Sequence, residues 1–212
     1  MSATTSSPAD IAAVILAAGL GTRFGAGTPK VLAQLAGKPL LRHVAEAAAQ
    51  SQAHPLIVVL GDAASEAEAA LAGLSANIVR NDNTAAGLSH SLALGLETVP
   101  EHCAGALVLL ADMPRVNAAM IDSLVAAFHA AQEPPRAVIP TNAGQRGNPV
   151  LLGRAIFAEV MQLQGDRGAA ALLRSETRGI VECPIDDEAI AIDVDTPDAL
   201  AALARHIQGT RG

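Results

Sequence analysis

Residues Val14 to Lys30 read VILAAGLGTRFGAGTPK, and this stretch decides the fold. The apolar run Val14-Ile15-Leu16-Ala17 predicts a buried parallel strand, and it empties directly into a glycine-rich turn. Glycines after a strand let main-chain N–H groups approach an anion, because no Cβ holds the ligand away. Arg23 and Lys30 then add the positive charge that a polyphosphate requires.

Counting separates this loop from two familiar phosphate loops. The dinucleotide fingerprint needs G-x-G-x-x-G; Gly19 and Gly21 fit, but Phe24 occupies the third position and the glycine arrives late, at Gly25. A Walker loop needs G-x-x-x-x-G-K-[ST], whereas the Gly37-Lys38 pair is followed by Pro39. What remains is L-A-A-G-x-G-T-R-F-G with a lysine five residues on. That pattern resembles nucleotidyltransferases built on a Rossmann-like α/β domain, in which the loop wraps a triphosphate and the lysine contacts phosphate. The bland alternative is a glycine turn that merely joins strand to helix.

Composition narrows the field. A chain of 212 residues suits one large domain, and the reading is a disordered tail over 1–10 followed by a single domain over 11–208. Half the residues are hydrophobic, but only three are Phe and none is Trp or Tyr. Stacking platforms for single-stranded nucleic acid need aromatic faces, and the net charge of −7 argues against a phosphate-backbone binder. Cys103 and Cys183 form no C-x-x-C pair, so neither a zinc site nor a disulfide framework is indicated; both are expected as buried apolar residues. No run reaches membrane-span length and no signal-peptide layout opens the chain, so the expected location is the cytoplasm.

Beyond the loop, apolar runs alternate with helical spacing. Strands are expected at Leu56–Leu60, Asn77–Arg80, Ala106–Leu110, Ala137–Pro140, Pro149–Leu152 and Gly179–Cys183. Helices are expected at Pro39–Gln50, Ala63–Ala72, Leu88–Glu97, Asn117–Ala131, Ala155–Leu163, Gly168–Ser175 and Pro197–Ile207. Fully apolar strands alternating with helices predict a three-layer α/β/α, Rossmann-like fold with a mostly parallel central sheet. Ligands of such sheets bind beyond the carboxyl ends of the strands.

Two acidic positions fit that geometry. The run ALVLL ends in Ala111-Asp112-Met113-Pro114, and the device recurs at Ile192-Asp193-Val194-Asp195-Thr196-Pro197. Carboxylates converging from distant strands suit Mg²⁺, which takes one or two of them and completes its shell with substrate phosphates. Asp112 and Asp195 are therefore the candidate metal ligands, with Asp193 as a substitute for the second. A turn residue, a helix cap or a surface charge is the plain alternative for each.

Taken together, four pieces resemble the molybdenum cofactor nucleotidyltransferases, and among them the cytidylyltransferases. They are LAAGLGTRFG with Lys30, AAGLSHSLALGL (Ala85 to Leu96), LADMPRV (Leu110 to Val116), and GNPVLLGRAIF followed by GDRGAAALL (Gly147 to Leu173). The resemblance implies transfer of CMP from CTP to the phosphate of molybdopterin or the molybdenum cofactor, with Mg²⁺ as cofactor and pyrophosphate released. A recipient molybdoenzyme is an implied further partner. The family's metal-binding acids map to Asp112 and Asp195, and Arg23, Lys30 and Asp112 would carry the chemistry. Leu16, Ala17, Ala18, Gly19, Gly21, Thr22, Arg23 and Lys30 would line the nucleotide. Asn81 and Ser89 are candidates for base or ribose contacts, with ordinary turn residues as the alternative; His90 either faces the site or packs. Asn148, where the family usually has His, and Arg167 are candidates for the pterin.

Base choice rests on one methyl group. Guanylyltransferase-like members tend to read L-A-G-G where this chain has Leu16-Ala17-Ala18-Gly19, and the Ala18 methyl would favour the smaller pyrimidine. Rival readings are a guanylyltransferase of the same pathway, a sugar- or isoprenoid-phosphate nucleotidyltransferase, and a non-catalytic chaperone that delivers the cofactor. A dinucleotide-dependent oxidoreductase is disfavoured by Phe24 and by the missing acidic residue about 20 positions on.

Overall fold

Seven consecutive buried residues, IAAVILA, form strand β1 (Ile11–Ala17), and its two faces serve two different cores. Ile11, Ala13, Ile15 and Ala17 point into one hydrophobic cluster; Ala12, Val14 and Leu16, with Ala18 beyond the strand, point into another. A strand buried on both sides has no polar face to alternate with. The computed structural model describes residues 9–19, 24, 29–61, 64–174, 176 and 178–209; most of the tail expected to be disordered, residues 1–8, lies outside them.

After β1, a small antiparallel hairpin joins β2 (Gln34–Leu35) to β3 (Lys38–Pro39), turning through Ala36 and Gly37 at positive φ. Strands β4 (Leu56–Leu60), β5 (Asn77–Arg80), β6 (Gly105–Leu110), β7 (Ala137–Asn142), β8 (Gln145–Arg146), β9 (Val150–Gly153) and β10 (Ile180–Pro184) follow. Among the described residues they make an eight-stranded sheet in the order β10-β7-β9-β6-β1-β4-β5, with β8 paired to β7. β1 runs parallel to β4 and β6, β4 to β5, and β7 to β10. The exceptions are β9, antiparallel to both β6 and β7, and the β7–β8 hairpin. The sheet is therefore mostly parallel, as expected, with one reversed strand wedged into it.

Helices cover both faces. α1 (Leu40–Ala49), α2 (Ala64–Ala70) and α4 (Ala118–Ala130) bury Leu41, Val44, Ala67, Ile121 and Leu124 against one face. α3 (Leu88–Glu97), α5 (Phe157–Val160) and α6 (Ala169–Leu173) bury Leu92, Leu96, Phe157, Val160 and Leu173 against the other. α7 (Pro197–Gly209) closes a third cluster of Ala33, Leu35, Leu40, Val194 and Leu203. This is the three-layer α/β/α architecture. The helix expected over Ala155–Leu163 is instead a 3₁₀ turn (Arg154–Ile156) followed by the single turn of α5. Arg154 ties down that start, its main-chain N–H bonding the Ala104 carbonyl at 2.8 Å and its guanidinium the Cys103 carbonyl at 2.6 Å. Both cysteines are free and buried, and burial pushes both thiols up. No helix among the described residues is long and apolar enough to cross a membrane.

α3 lies close on the sheet because Gly95 has no side chain. A Cβ there would sit 2.6 Å from Val14 Cγ1 and 3.2 Å from Val59 Cγ2. Both neighbours are β-branched and fixed in buried strands, so neither yields easily. Gly95→Ala gains about 1 kcal/mol in helix propensity but overpacks the α3–β1 interface, which costs about 1–3 kcal/mol. The expected outcome is a net loss of stability, read as a lower urea midpoint at unchanged slope.

Candidate functional site

The cavity opens where β1 ends. Leu16, Ala18 and Gly19 line it, whereas the Ala17 side chain belongs to the opposite cluster; the strand's alternation decides which residues face a ligand. A Cβ built on Gly19 would meet nothing within 4 Å, so glycine leaves that approach clear. Gly21, Thr22 and Arg23, singled out from the sequence, lie outside the described residues. Phe24, at the position where a dinucleotide loop has glycine, packs against the cluster under α7.

At the polar end of the cavity, three charged side chains from distant parts of the chain meet. Main-chain bonds bring them there. Ala111 N–H reaches the Leu16 carbonyl at 3.2 Å, and the carbonyl of Asp112 accepts from Val194 N–H at 2.9 Å. Val194 is 1% exposed, anchored in the cluster with Leu35, Leu40 and Leu203. Asp195 is thereby carried beside the end of β6, while Asp193 is exposed. The Lys30 ammonium donates to Asp112 Oδ2 at 2.6 Å and also to Asp195 Oδ1. Thr196 caps α7, its hydroxyl accepting from Ala199 N–H at 3.2 Å.

The three side chains are electrostatically coupled. Burial pulls the Lys30 pKa down, but hydrogen bonds and charge from Asp112 and Asp195 outweigh it and leave the ammonium above its ordinary value. Asp112 Oδ1 is buried and lacks a hydrogen-bond partner among the described residues. A buried carboxylate oxygen with no partner is costly unless something binds it. Among the described residues no cluster of three or more His, Cys, Asp or Glu side chains could hold a metal. Two carboxylates nevertheless suffice for an ion that takes its remaining ligands from water and phosphate, so Asp112 and Asp195 fit a hard divalent cation.

The opposite wall joins two sequence-distant segments. Gly87, with φ +87°, lies so close to Gly165 that a Cβ would sit 2.5 Å from the Gly165 carbonyl carbon, and Ser89 N–H donates to Gly165 O at 3.0 Å. Thr84, Gly87, Leu88, Ser91 and Asp166 line the cavity here, and its volume is about 610 Å³, within the range of small-molecule sites. Ser89 and Asn81 are buried but lie outside the lining, and Asn81 commits its amide to Ser91 Oγ at 2.9 Å. Asn148 also lies outside the lining; its N–H bonds the Ile190 carbonyl at 2.8 Å, and Gly147 before it has no room for a Cβ, with Ile190 O at 2.4 Å. Arg167 is exposed beside Asp166. Sequence reasoning missed Thr84, Leu88, Ser91 and Asp166. Ser91 stands four residues after Gly87, and nothing in the sequence sets it apart from Ser89.

Known proteins share this architecture. The manganese complex of Rv0371C from Mycobacterium tuberculosis H37Rv superimposes with a TM-score of 0.79 at 28% identity, over 92% of this chain and 98% of that one. Rv0371c from the same organism gives a TM-score of 0.80 at 30% identity, over 93% of this chain and 98% of that one. The bifunctional protein GlmU of Legionella pneumophila (strain Philadelphia 1) is 35% identical over 143 residues, which are 68% of this chain and 30% of that protein. The chain spans less than a third of the length of the curated relatives it matches. The model of one family covers residues 13–181, from the middle of β1 into β10. This chain belongs to that family, the MobA-like NTP transferase domain.

Proposed function

We propose that the chain transfers CMP from CTP to the terminal phosphate of molybdopterin or the molybdenum cofactor, in a Mg²⁺-dependent reaction that releases pyrophosphate. The observation that carries this reading is the Lys30 ammonium held by Asp112 and Asp195 in a cavity that Leu16, Ala18 and Leu88 also line. An acceptor phosphate oxygen attacks the α-phosphorus in line; the new P–O bond forms as the bond to the bridging oxygen of the β-phosphate breaks. Little of this needs covalent help from the protein, so positioning and charge neutralisation carry the rate. When bound by Asp112 and Asp195, the divalent ion supplies Lewis-acid charge to the phosphate oxygens.

The chain's own groups do the rest. Lys30, with Arg23 and the main-chain N–H groups from Gly19 through Gly21 and Thr22, holds the β- and γ-phosphates. Leu16 and Ala18 on the β1 side and Leu88 on the α3 side sandwich the base. The Ala18 methyl, on the cavity wall, favours a pyrimidine over a purine by steric exclusion. The pterin reading draws on the GDRGA segment, which packs against Gly87 at the cavity; Arg167 and Asn148 are its candidate contacts, and a molybdoenzyme would receive the product.

Pyrophosphate release with each of the four nucleoside triphosphates, with and without extracted pterin cofactor, tests the reading. Release with CTP, and only in the presence of cofactor, is expected; release driven by a sugar phosphate instead would overturn the acceptor assignment. Asp112→Asn keeps the side chain's shape and removes its charge, and turnover should fall at least about a hundredfold with an unchanged melting temperature. Ala18→Gly should raise the GTP/CTP ratio of kcat/KM by about tenfold, the scale expected for one methyl in a pocket. An unchanged ratio would discard the steric account of base choice.

A further inference from the structure

Asn81 and Ser91 form a buried polar pair beside the cavity, and the reaction scheme above gives neither a role. Asn81 is 2% exposed and Ser91 4%. The main-chain N–H of Asn81 bonds the Leu60 carbonyl at 2.8 Å, fixing it just beyond β5. Its Oδ1 accepts the main-chain N–H of Asn83 at 2.8 Å. That bond fixes the amide, since the opposite rotamer would set one N–H against another. The Nδ2 side must then face Ser91, and it donates to Oγ at 2.9 Å. Ser91 lines the cavity from the end of the first turn of α3. With Oγ engaged as an acceptor, the hydroxyl hydrogen has no acceptor among the described residues, and the cavity is the direction left open to it.

We infer that Asn81 is a positioning residue that locks the Ser91 hydroxyl as a hydrogen-bond donor into the nucleotide cavity, so that the ligand edge seated there must be an acceptor. The inference rests on the nucleotide reading given above. Leu16, Ala18 and Leu88 line the same cavity, and a donor set opposite a ligand donor there loses its hydrogen bond. Cytosine presents adjacent acceptors at O2 and N3. Uracil at N3 and guanine at N1 carry an N–H that would oppose donor to donor, so the hydroxyl discriminates by meeting the ring nitrogen of cytosine and not a carbonyl oxygen, which all three bases share. Ser91 thus selects by polarity where the Ala18 methyl selects by size.

Calorimetric titration of the full chain with CTP, GTP and a CTP analogue lacking the 4-amino group, all with Mg²⁺, tests this. Ser91→Ala should weaken CTP and the analogue by the same factor, about tenfold, as for one lost hydrogen bond in a dry site. Asn81→Asp keeps the acceptor for Asn83 N–H, but its second oxygen captures the Ser91 hydrogen and turns the hydroxyl into an acceptor. It should weaken CTP at least as much on its own, yet less than about twofold more when combined with Ser91→Ala. CTP affinity unchanged by Ser91→Ala overturns the inference. So does an Asn81→Asp loss that is the same with and without the Ser91 hydroxyl, the result expected of a merely structural residue. If Asn81→Asp loses its cooperative melting transition, the Ser91→Ala comparison across CTP and the analogue decides alone: equal losses support the inference and a loss confined to CTP overturns it. If no triphosphate binds the unaltered chain, the nucleotide reading fails first and the inference falls with it, an outcome distinct from normal binding that ignores both substitutions.

Discussion

Two carboxylates brought to one point need a positive charge between them, and the site is organised around that requirement. Asp112 and Asp195 both bond the Lys30 ammonium, so their acidic groups lie within roughly 5 Å of each other. At the effective dielectric of a half-buried site, such a pair repels by about 3 kcal/mol. Lys30 removes that cost and is held charged by it. With the lysine in place the trio carries one net negative charge. A divalent ion reverses that sign and leaves a positive site for the triphosphate. On the proposed reading, metal and triphosphate are therefore expected to bind as partners rather than one after the other.

What makes the convergence possible lies below the site, in main-chain bonds and apolar packing. The Val194 N–H to Asp112 carbonyl bond staples the segment before α7 to the end of β6. Val194 itself fills the small core shared by β2, α1 and α7. The same cluster takes up Phe24, so the far side of the glycine loop and the second aspartate are anchored in one place. Loss of packing there would be felt at the carboxylates, even though none of these side chains lines the cavity.

Much of this was legible in the sequence, for identifiable reasons. The apolar run LIVVL, the short NIVR before a polar turn and the helical spacing after Gly87 matched β4, β5 and α3 to the residue, because periodicity and punctuation agreed. The reversed strand β9 was not legible as reversed: four apolar residues read alike in either direction, and only pairing with β6 and β7 shows the sense. The β2–β3 hairpin was too short to register. At the site, Asp112 and Asp195 could be picked out because each follows an apolar stretch and precedes a stiffening proline within two residues. Ser89 was chosen and Ser91 passed over because both stand near the start of one helix, and a sequence position does not say which face turns toward a loop not yet placed. Ala17 was included with Leu16 and Ala18 for the same reason: adjacency in the chain hides the alternation that sends its side chain into the other core. Asn148 and Arg167 came from motif resemblance, which locates a segment and leaves side-chain direction open.

The near absence of aromatic residues shapes how this cavity can discriminate. Base stacking on an aromatic ring contributes about 1–3 kcal/mol and tolerates any base. On the proposed reading the base would meet Leu16, Ala18 and Leu88, which line the cavity and supply contact area but little orientation. A ring held only by aliphatic surface can slide and rotate, so its placement must come from polar groups at its edge. Those groups are informative only if their own polarity is fixed. A free hydroxyl satisfies donor or acceptor alike, whereas one already accepting from a locked amide cannot. On the proposed reading, the buried hydrogen-bond chain behind the wall, from Asn83 through Asn81 to Ser91, would carry the selectivity that an aromatic pocket leaves to other contacts.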